Sequence, residues 1–494
     1  MRARKTSSIA LLVLLACDRA GAARPDAAQA PAPTAPAAEG AGGGGQKASR
    51  EALVKAALKR VGEVSDQLAA LRGLPFKRKV EAVYQSQEDF RKFVKKEIQT
   101  DLPPAKAKGL SRSLSHLGIL KEPLDLLASL EDALVSQAGA YYDPQSKKFY
   151  IVMVPEQQLM LDTLSAHELT HALQDQYFDL IGYYGGKGNA QKLSDDTLNA
   201  RRFIVEGEAT LTMTAYQMQA ATGGQTNLLD PKAAPAARMT LQAMARMDMA
   251  SVTSSKKAEM ALYADMGPDI QKAMAAMEKI PPYILQPLVD SYLKGALPVY
   301  EAYARGSWAA VKRLYDDPPD STEQVLHPAD KLVGKRDYPQ KIVLPPPAQL
   351  GKAFAGGKEI LADVAGELLL RVYLSNWSAP DVEPAAAGWD GDRWAVWDVG
   401  GKTIGAWVST WDSEADAQEF AKAYVSSLDR RFPGAPTTVE GGASIHARTD
   451  GGVVAAMVKG ADVFVVSGVA KADAAGALAE LVKGTKKVRD PRDK

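Results

Sequence analysis

The chain has 494 residues, too many for one compact core at about 150 residues per domain, so two or three folded units are expected. Its 60 basic and 59 acidic residues leave a net charge of +1, which argues against a concentrated phosphate-binding face and so against nucleic acid as the main partner. Hydrophobic residues at 46% and charged ones at 24% fit an ordinary globular protein, and the single cysteine, Cys17, excludes intrachain disulfides, thiolate metal clusters and a thiol nucleophile further along.

At the N-terminus Arg2, Arg4 and Lys5 precede the apolar run from Ile9 to Ala16, the pattern of a secretory signal too short to span about 30 Å of hydrocarbon. Leu14-Leu15-Ala16-Cys17 resembles the bacterial lipobox. That resemblance implies cleavage before Cys17, lipid on the new N-terminus and anchorage to a lipid bilayer of a bacterial cell envelope. Asp18 resembles an inner-membrane retention signal, but that rule does not transfer between lineages, so the leaflet stays open. Residues 1–16 thus read as a lipoprotein signal peptide, and 17–46, mostly Ala, Pro and Gly, as a tether that cannot bury a core.

Apolar residues at helical spacing predict a helix from Ala48 to Arg72, followed by a strand from Lys79 to Tyr84 and a helix from Glu88 to Gln99. Ala138 to Tyr142 and Lys148 to Val154, joined by Asp143-Pro144-Gln145-Ser146, read as a β-hairpin. The second strand runs into a helix opened by Pro155 and carried to about Tyr177. Another helix is expected from Asp196 to about Ala221, then mostly helix from Pro231 to Tyr315 with breaks at Gly267-Pro268 and Pro281-Pro282. Pro318-Pro319 and Pro345-Pro346-Pro347 mark a long loop and a domain boundary, giving a first domain over residues 47–345.

Residues 358–486 read as a smaller α+β domain. Its expected parts are a helix from Ile360 to Asn376, a hairpin of Arg393–Asp398 and Thr403–Thr410, a helix from Ser413 to Arg430, a hairpin of Val453–Val458 and Val463–Val469, and a last helix from Asp473 to Lys483. These three helices and four strands are close to the two-helix, four-strand content of a ferredoxin-like arrangement, and no catalytic signature is visible in the unit. The fold class expected for the whole chain is α+β, a mainly helical domain with a small sheet followed by this unit.

The sharpest signal is His167-Glu168-Leu169-Thr170-His171. On a helix, residues four apart share a face, so both imidazoles can reach one tetrahedral zinc ion. Glu168, on the neighbouring face, can reach a water on the metal rather than the metal, as a general base must. Catalytic zinc takes three protein ligands, and the other histidines, His116, His327 and His446, are scattered, so the third ligand is expected to be a carboxylate. Val205-Glu206-Gly207-Glu208-Ala209 offers two, about 160° apart around a helix, of which only one can face the metal. Periodicity puts Glu208 on the more apolar face.

A HExxH helix followed by a helix carrying Glu-Gly-x-Ala resembles the gluzincin metallopeptidases, which include thermolysin and the aminopeptidase-N-like enzymes. The resemblance covers mainly residues 138–220 and implies a zincin-like fold, one zinc per chain, a peptide or protein substrate, and Glu206 as third ligand. Glu208 would then orient a ligand histidine or pair with Arg201 or Arg202, and Asp175 is either a similar support or a solvated charge. Lys148 to Val154 would be the exposed strand edge that pairs with an extended substrate. Thermolysin-like enzymes place a histidine at the developing oxyanion and aminopeptidase-like ones a tyrosine, which nominates His327, with Tyr283 behind it. His116 and His446 read as structural. The longer run His-Glu-Leu-Thr-His-Ala-Leu-Gln-Asp-Gln also looks like a group of uncharacterised bacterial metallopeptidase-like proteins, which lends no substrate. The 34 residues between His171 and Glu206 include Gly182 to Gly188, a stretch that could border the cleft. Two readings compete with a peptidase: a catalytically inactive zincin-fold envelope lipoprotein that binds through its C-terminal unit, and an adaptor that packs its long helices against partners.

Overall fold

Beyond about residue 358 helices and strands alternate, as the sequence pattern leads one to expect. A computed structural model describes residues 44–137, 139–152, 158–186, 193–224, 228–247, 280–435 and 437–493. The signal peptide, Cys17, nearly all of the tether, Pro155 and the Gly267-Pro268 break lie outside the described residues.

The first region contains α1 (Gly44–Arg72), β1 (Glu81–Tyr84), α2 (Gln87–Asp101), α3 (Pro104–Leu117), α4 (Leu126–Gln137), β2 (Ala140–Asp143) and β3 (Lys148–Ile151). The chain continues through α5 (Gln158–Phe178), α6 (Leu180–Tyr183), α7 (Asp195–Ala221), α8 (Ala234–Ala245), α9 (Pro282–Leu293), α10 (Ala296–Asp316) and α11 (Thr322–Leu326). Then come β4 (Lys341–Val343), β5 (Lys358–Asp363), α12 (Gly366–Asn376), α13 (Val382–Ala386), β6 (Trp389–Val399), β7 (Lys402–Trp411) and α14 (Glu414–Arg431). Strands β8 (Thr437–Glu440), β9 (Ala443–Ala447), β10 (Val453–Lys459) and β11 (Asp462–Val469), helix α15 (Lys471–Gly484) and strand β12 (Lys486–Val488) complete it.

Serine caps set several helix starts: Ser86, Ser194, Ser321 and Ser413 each accept a backbone N–H three residues on. The expected hairpin is present, its turn held by Asp143, whose carboxylate accepts the N–H groups of Gln145 and Ser146. Its second strand is not an edge, however. The small sheet has the order β1-β3-β2, with β3 parallel to β1 and antiparallel to β2, so both sides of β3 are already paired. The outer strand of the hairpin is β2.

The C-terminal region departs from the four-stranded ferredoxin-like expectation. Seven strands in the order β5-β6-β7-β11-β10-β9-β8 form one fully antiparallel sheet. The stretch from Ile360, expected to be helical, opens as β5 and turns into α12 at Gly366, whose φ of +69° suits only glycine at low strain. Period-two alternation sorts the side chains between the two faces. Trp394, Trp407 and Val465 pack with Phe420 and Tyr424 of α14, whereas Ala406, Val408 and Val466 pack with Leu478 and Leu481 of α15. The regions on either side of the prolines share core, because Leu114, Leu117 and Ile119 belong to the α14-side cluster. His116 joins them: its Nε2 lies 2.8 Å from Ser467 Oγ, and a Cβ on Gly468 would come within 2.9 Å of its ring.

One contact fixes the helical region. A Cβ on Gly207 of α7 would sit 2.0 Å from the backbone oxygen of Gly295, between α9 and α10. The two glycines let the backbones touch, and the α9–α10 corner thereby locks the rotation of α7. We predict that Gly207→Ala destabilises the protein by about 1–3 kcal/mol in denaturant unfolding, through overpacking. Burial, with Arg448 and Arg431 nearby, lowers the His116 pKa to about 3. The unfolded chain, with histidine near the usual ~6.5, then binds the extra proton, so stability should fall by about 2 kcal/mol from pH 7 to pH 5 through this group. His116→Gln should remove that share of the pH dependence.

Candidate metal centre

Helix α5 carries His167, Glu168 and His171, and α7 crosses it with Glu206 facing the histidines. Glu206 Oε2 is 3.2 Å from His167 Nε2 and 3.6 Å from His171 Nε2, and the two Nε2 atoms are 3.2 Å apart. Ligands about 2.0–2.1 Å from a tetrahedral zinc ion stand about 3.3 Å from one another, so these three atoms have the spacing such an ion requires. Glu206 Oε1 is buried without a hydrogen-bond partner, which leaves a carboxylate oxygen free to meet a cation. The residues therefore fit zinc.

Without the ion, the site balances its charges with a proton. Burial opposes charge on His171, yet the Glu206 carboxylate overrides it and lifts the His171 pKa to about 9, whereas burial lowers that of His167. Burial would raise Glu206, but His171 and His167 hold it down at about 2. Zinc held by these residues would have to displace the His171 proton, so about one proton would be released per zinc bound at pH 7, and apparent affinity would rise up to about tenfold per pH unit until about pH 9. Calorimetry in buffers of different ionisation enthalpy measures it. The same group stabilises the metal-free fold below about pH 6.5, and that contribution is lost as pH rises through about 9.

The second glutamate, Glu208, points elsewhere. It pairs with Arg72, itself stacked 3.9 Å over Trp308, and accepts the Tyr315 hydroxyl. This differs from the expected pairing with Arg201 or Arg202, which bond to the Tyr183 carbonyl and to Asn199. Gln174 links the two glutamates' surroundings: its Oε1 is 2.7 Å from His171 Nδ1, and its Nε2 donates to Tyr315 Oη and to the Val205 carbonyl, each at 2.9 Å. Gln174, not Asp175, thus orients the histidine. Asp175 binds the Tyr142 hydroxyl and Lys147 Nζ, each at 2.7 Å, tying the hairpin to α5. Glu206→Gln should lower zinc affinity about 10-fold or more with little loss of fold, whereas Glu208→Gln should cost about 3–5 kcal/mol of stability by stranding Arg72. Metal competition and denaturant unfolding separate the two effects.

Glu168 Oε2 accepts the N–H of Tyr142, 2.9 Å away on β2, and one Glu168 oxygen lies within 4.8 Å of a nitrogen of each histidine. The edge strand therefore holds the expected base. Neither nominated oxyanion donor reaches the centre. His327 Nε2 lies 3.0 Å from both oxygens of Glu367, which also pairs with Arg371. Tyr283 donates to Asp195, eleven residues and about 16 Å along α7 from Glu206. The residue missed is Tyr292, whose ring stacks on His167 with centroids 5.4 Å apart. It follows Tyr283 on α9, and only the course of that helix along α7 brings it there. His446 is buried on β9, with its Nδ1 2.6 Å from Thr437 Oγ1. A second acidic group, Glu323, Asp337 and Asp412, is filled by Lys331 Nζ. No helix among the described residues is long and apolar enough to cross a membrane.

A family model described as a domain of unknown function (DUF8575) matches residues 353–479, the seven-stranded sheet region, and does not reach the metal centre. No curated protein and no solved structure matches the chain.

Proposed function

We propose that this chain is a membrane-anchored zinc peptidase whose lipid anchor is Cys17 and whose metal ligands are His167, His171 and Glu206. The observation that carries the reading is the convergence of three ligand atoms at zinc spacing with Glu168 alongside. Bound zinc would supply a Lewis acid that polarises the scissile carbonyl and acidifies water. Glu168 takes the proton from the attacking water and delivers it to the departing amine; a C–O bond forms and the C–N bond breaks. The Tyr142 N–H fixes the plane of that carboxylate, and Gln174 keeps His171 presenting Nε2. Tyr292, stacked on His167, packs one face of that imidazole.

Burial favours a second reading. His167, Glu168, His171 and Glu206 are each no more than 4% exposed, as in a latent or purely structural centre on an envelope lipoprotein that binds through its sheet region. Glu168→Gln decides between them. For a peptidase, the variant should keep one zinc per chain and lose peptide hydrolysis by about 10²–10⁴-fold. Zinc in both proteins with cleavage in neither would favour the second reading, and no zinc in either would overturn both.

A further inference from the structure

The sheet region carries a constellation of its own, assembled from one helix and two strands. Helix α14 sets Lys422, Ser426 and Asp429 at spacings of four and three residues, so they share one face. With Val425 they line an open cavity of about 540 Å³, which Thr437 of β8 and Ser444 of β9 line as well. That size suits a small molecule. Thr437 is exposed, whereas His446, directly opposite it on β9, has no exposed surface.

The contacts at this cavity give each group a role. His446 Nε2 lies 3.4 Å from the Phe432 carbonyl oxygen, which can only accept, so Nε2 carries a hydrogen. A neutral imidazole has one such hydrogen, so Nδ1 keeps its lone pair, and Thr437 Oγ1, 2.6 Å away, donates to it. Asp429 Oδ1 stands 3.6 Å from the same Nδ1 and 3.4 Å from Thr437 Oγ1. Paired strands bring opposite side chains together in any sheet. Here the pair also opens on a cavity, and another element supplies a carboxylate beside it. A hydroxyl bonded to an imidazole that a third group orients is the arrangement that activates an alcohol as a nucleophile.

We propose that Thr437, His446 and Asp429 form a second catalytic site, within the residues that the family model matches, that cleaves esters of short acyl groups. Thr437 Oγ1 attacks the acyl carbon while its proton passes to His446 Nδ1. The new C–O bond replaces the bond to the leaving alcohol, which takes that proton. Water then attacks the acyl-threonine, giving a proton to His446, which returns it to Thr437 Oγ1 as the acid departs. Asp429 stabilises the imidazolium between these steps. Lys422, Ser426 and Ser444 line the cavity in which the oxyanion develops, and Val425 and Ala435 give it an apolar side for the acyl chain. The site does not rest on the peptidase reading.

The test is hydrolysis of p-nitrophenyl acetate by the zinc-free full chain, with the acetyl group located by peptide mapping of acid-quenched protein. The rate should saturate with ester, and the acetyl group should sit on Thr437. T437V, at an exposed position and checked by circular dichroism, should lose the saturable rate by about 10²-fold or more. T437S should retain it, H446Q should match T437V, and D429N should lower it several-fold. An undiminished rate in folded T437V, acetyl groups found only on lysines, or hydrolysis that appears only when zinc is added would overturn the proposal. The last result would assign ester cleavage to the metal centre instead.

Discussion

A carboxylate with no exposed surface needs positive charge close by, and Glu206 has two imidazoles of another helix within 3.6 Å. That requirement dictates how α5 and α7 cross and at which residues. It explains why the close approach of Gly207 to Gly295 lies one residue beyond Glu206, since a helix locked against rotation there cannot swing the carboxylate away. Behind His171 a buried chain of hydrogen bonds runs through Gln174 and Tyr315 to Glu208 and Arg72. The fold thus places a rigid polar wall on one side of the centre.

The two regions of the chain are welded rather than tethered. Helix α3 contributes Leu114 and Leu117 to the core beneath the seven-stranded sheet, and β4 pairs with β12. The N-terminal end of α7 is held from the sheet side as well: Asp363 of β5 accepts the backbone N–H of Asp195, and a Cβ on Gly366 would collide with the Asp196 carboxylate. The helix that presents Glu206 is anchored at its start by one region and locked at its middle by the other. The sheet region therefore has a mechanical part in the metal centre, whatever else it binds.

Local patterns in the sequence reveal the centre better than they reveal its surroundings. His167, Glu168 and His171 are legible because a helix fixes their spacing, and the Glu-Gly pair is legible by resemblance. Periodicity pointed to Glu208, because it counts apolar neighbours and cannot see Arg72, 136 residues away, arriving to neutralise that carboxylate. The same limit hid Tyr292, whose place depends on the path of α9, and misplaced His327, which Glu367 claims from a later helix. Strand β5 was read as helix because its residues run on into α12 without a proline break. The sheet order was hidden too, since β8 and β9 are short and partly polar, and β3 is made central by the distant strand β1.

The central claim is that His167, His171 and Glu206 hold one catalytic zinc, and anomalous diffraction from zinc-loaded crystals tests it most directly. The account predicts one peak per chain, about 2.0–2.1 Å from both Nε2 atoms and from a Glu206 oxygen, with no fourth protein ligand. A peak ligated by Glu208 instead, a fourth protein ligand closing the shell, or no peak at all would contradict it.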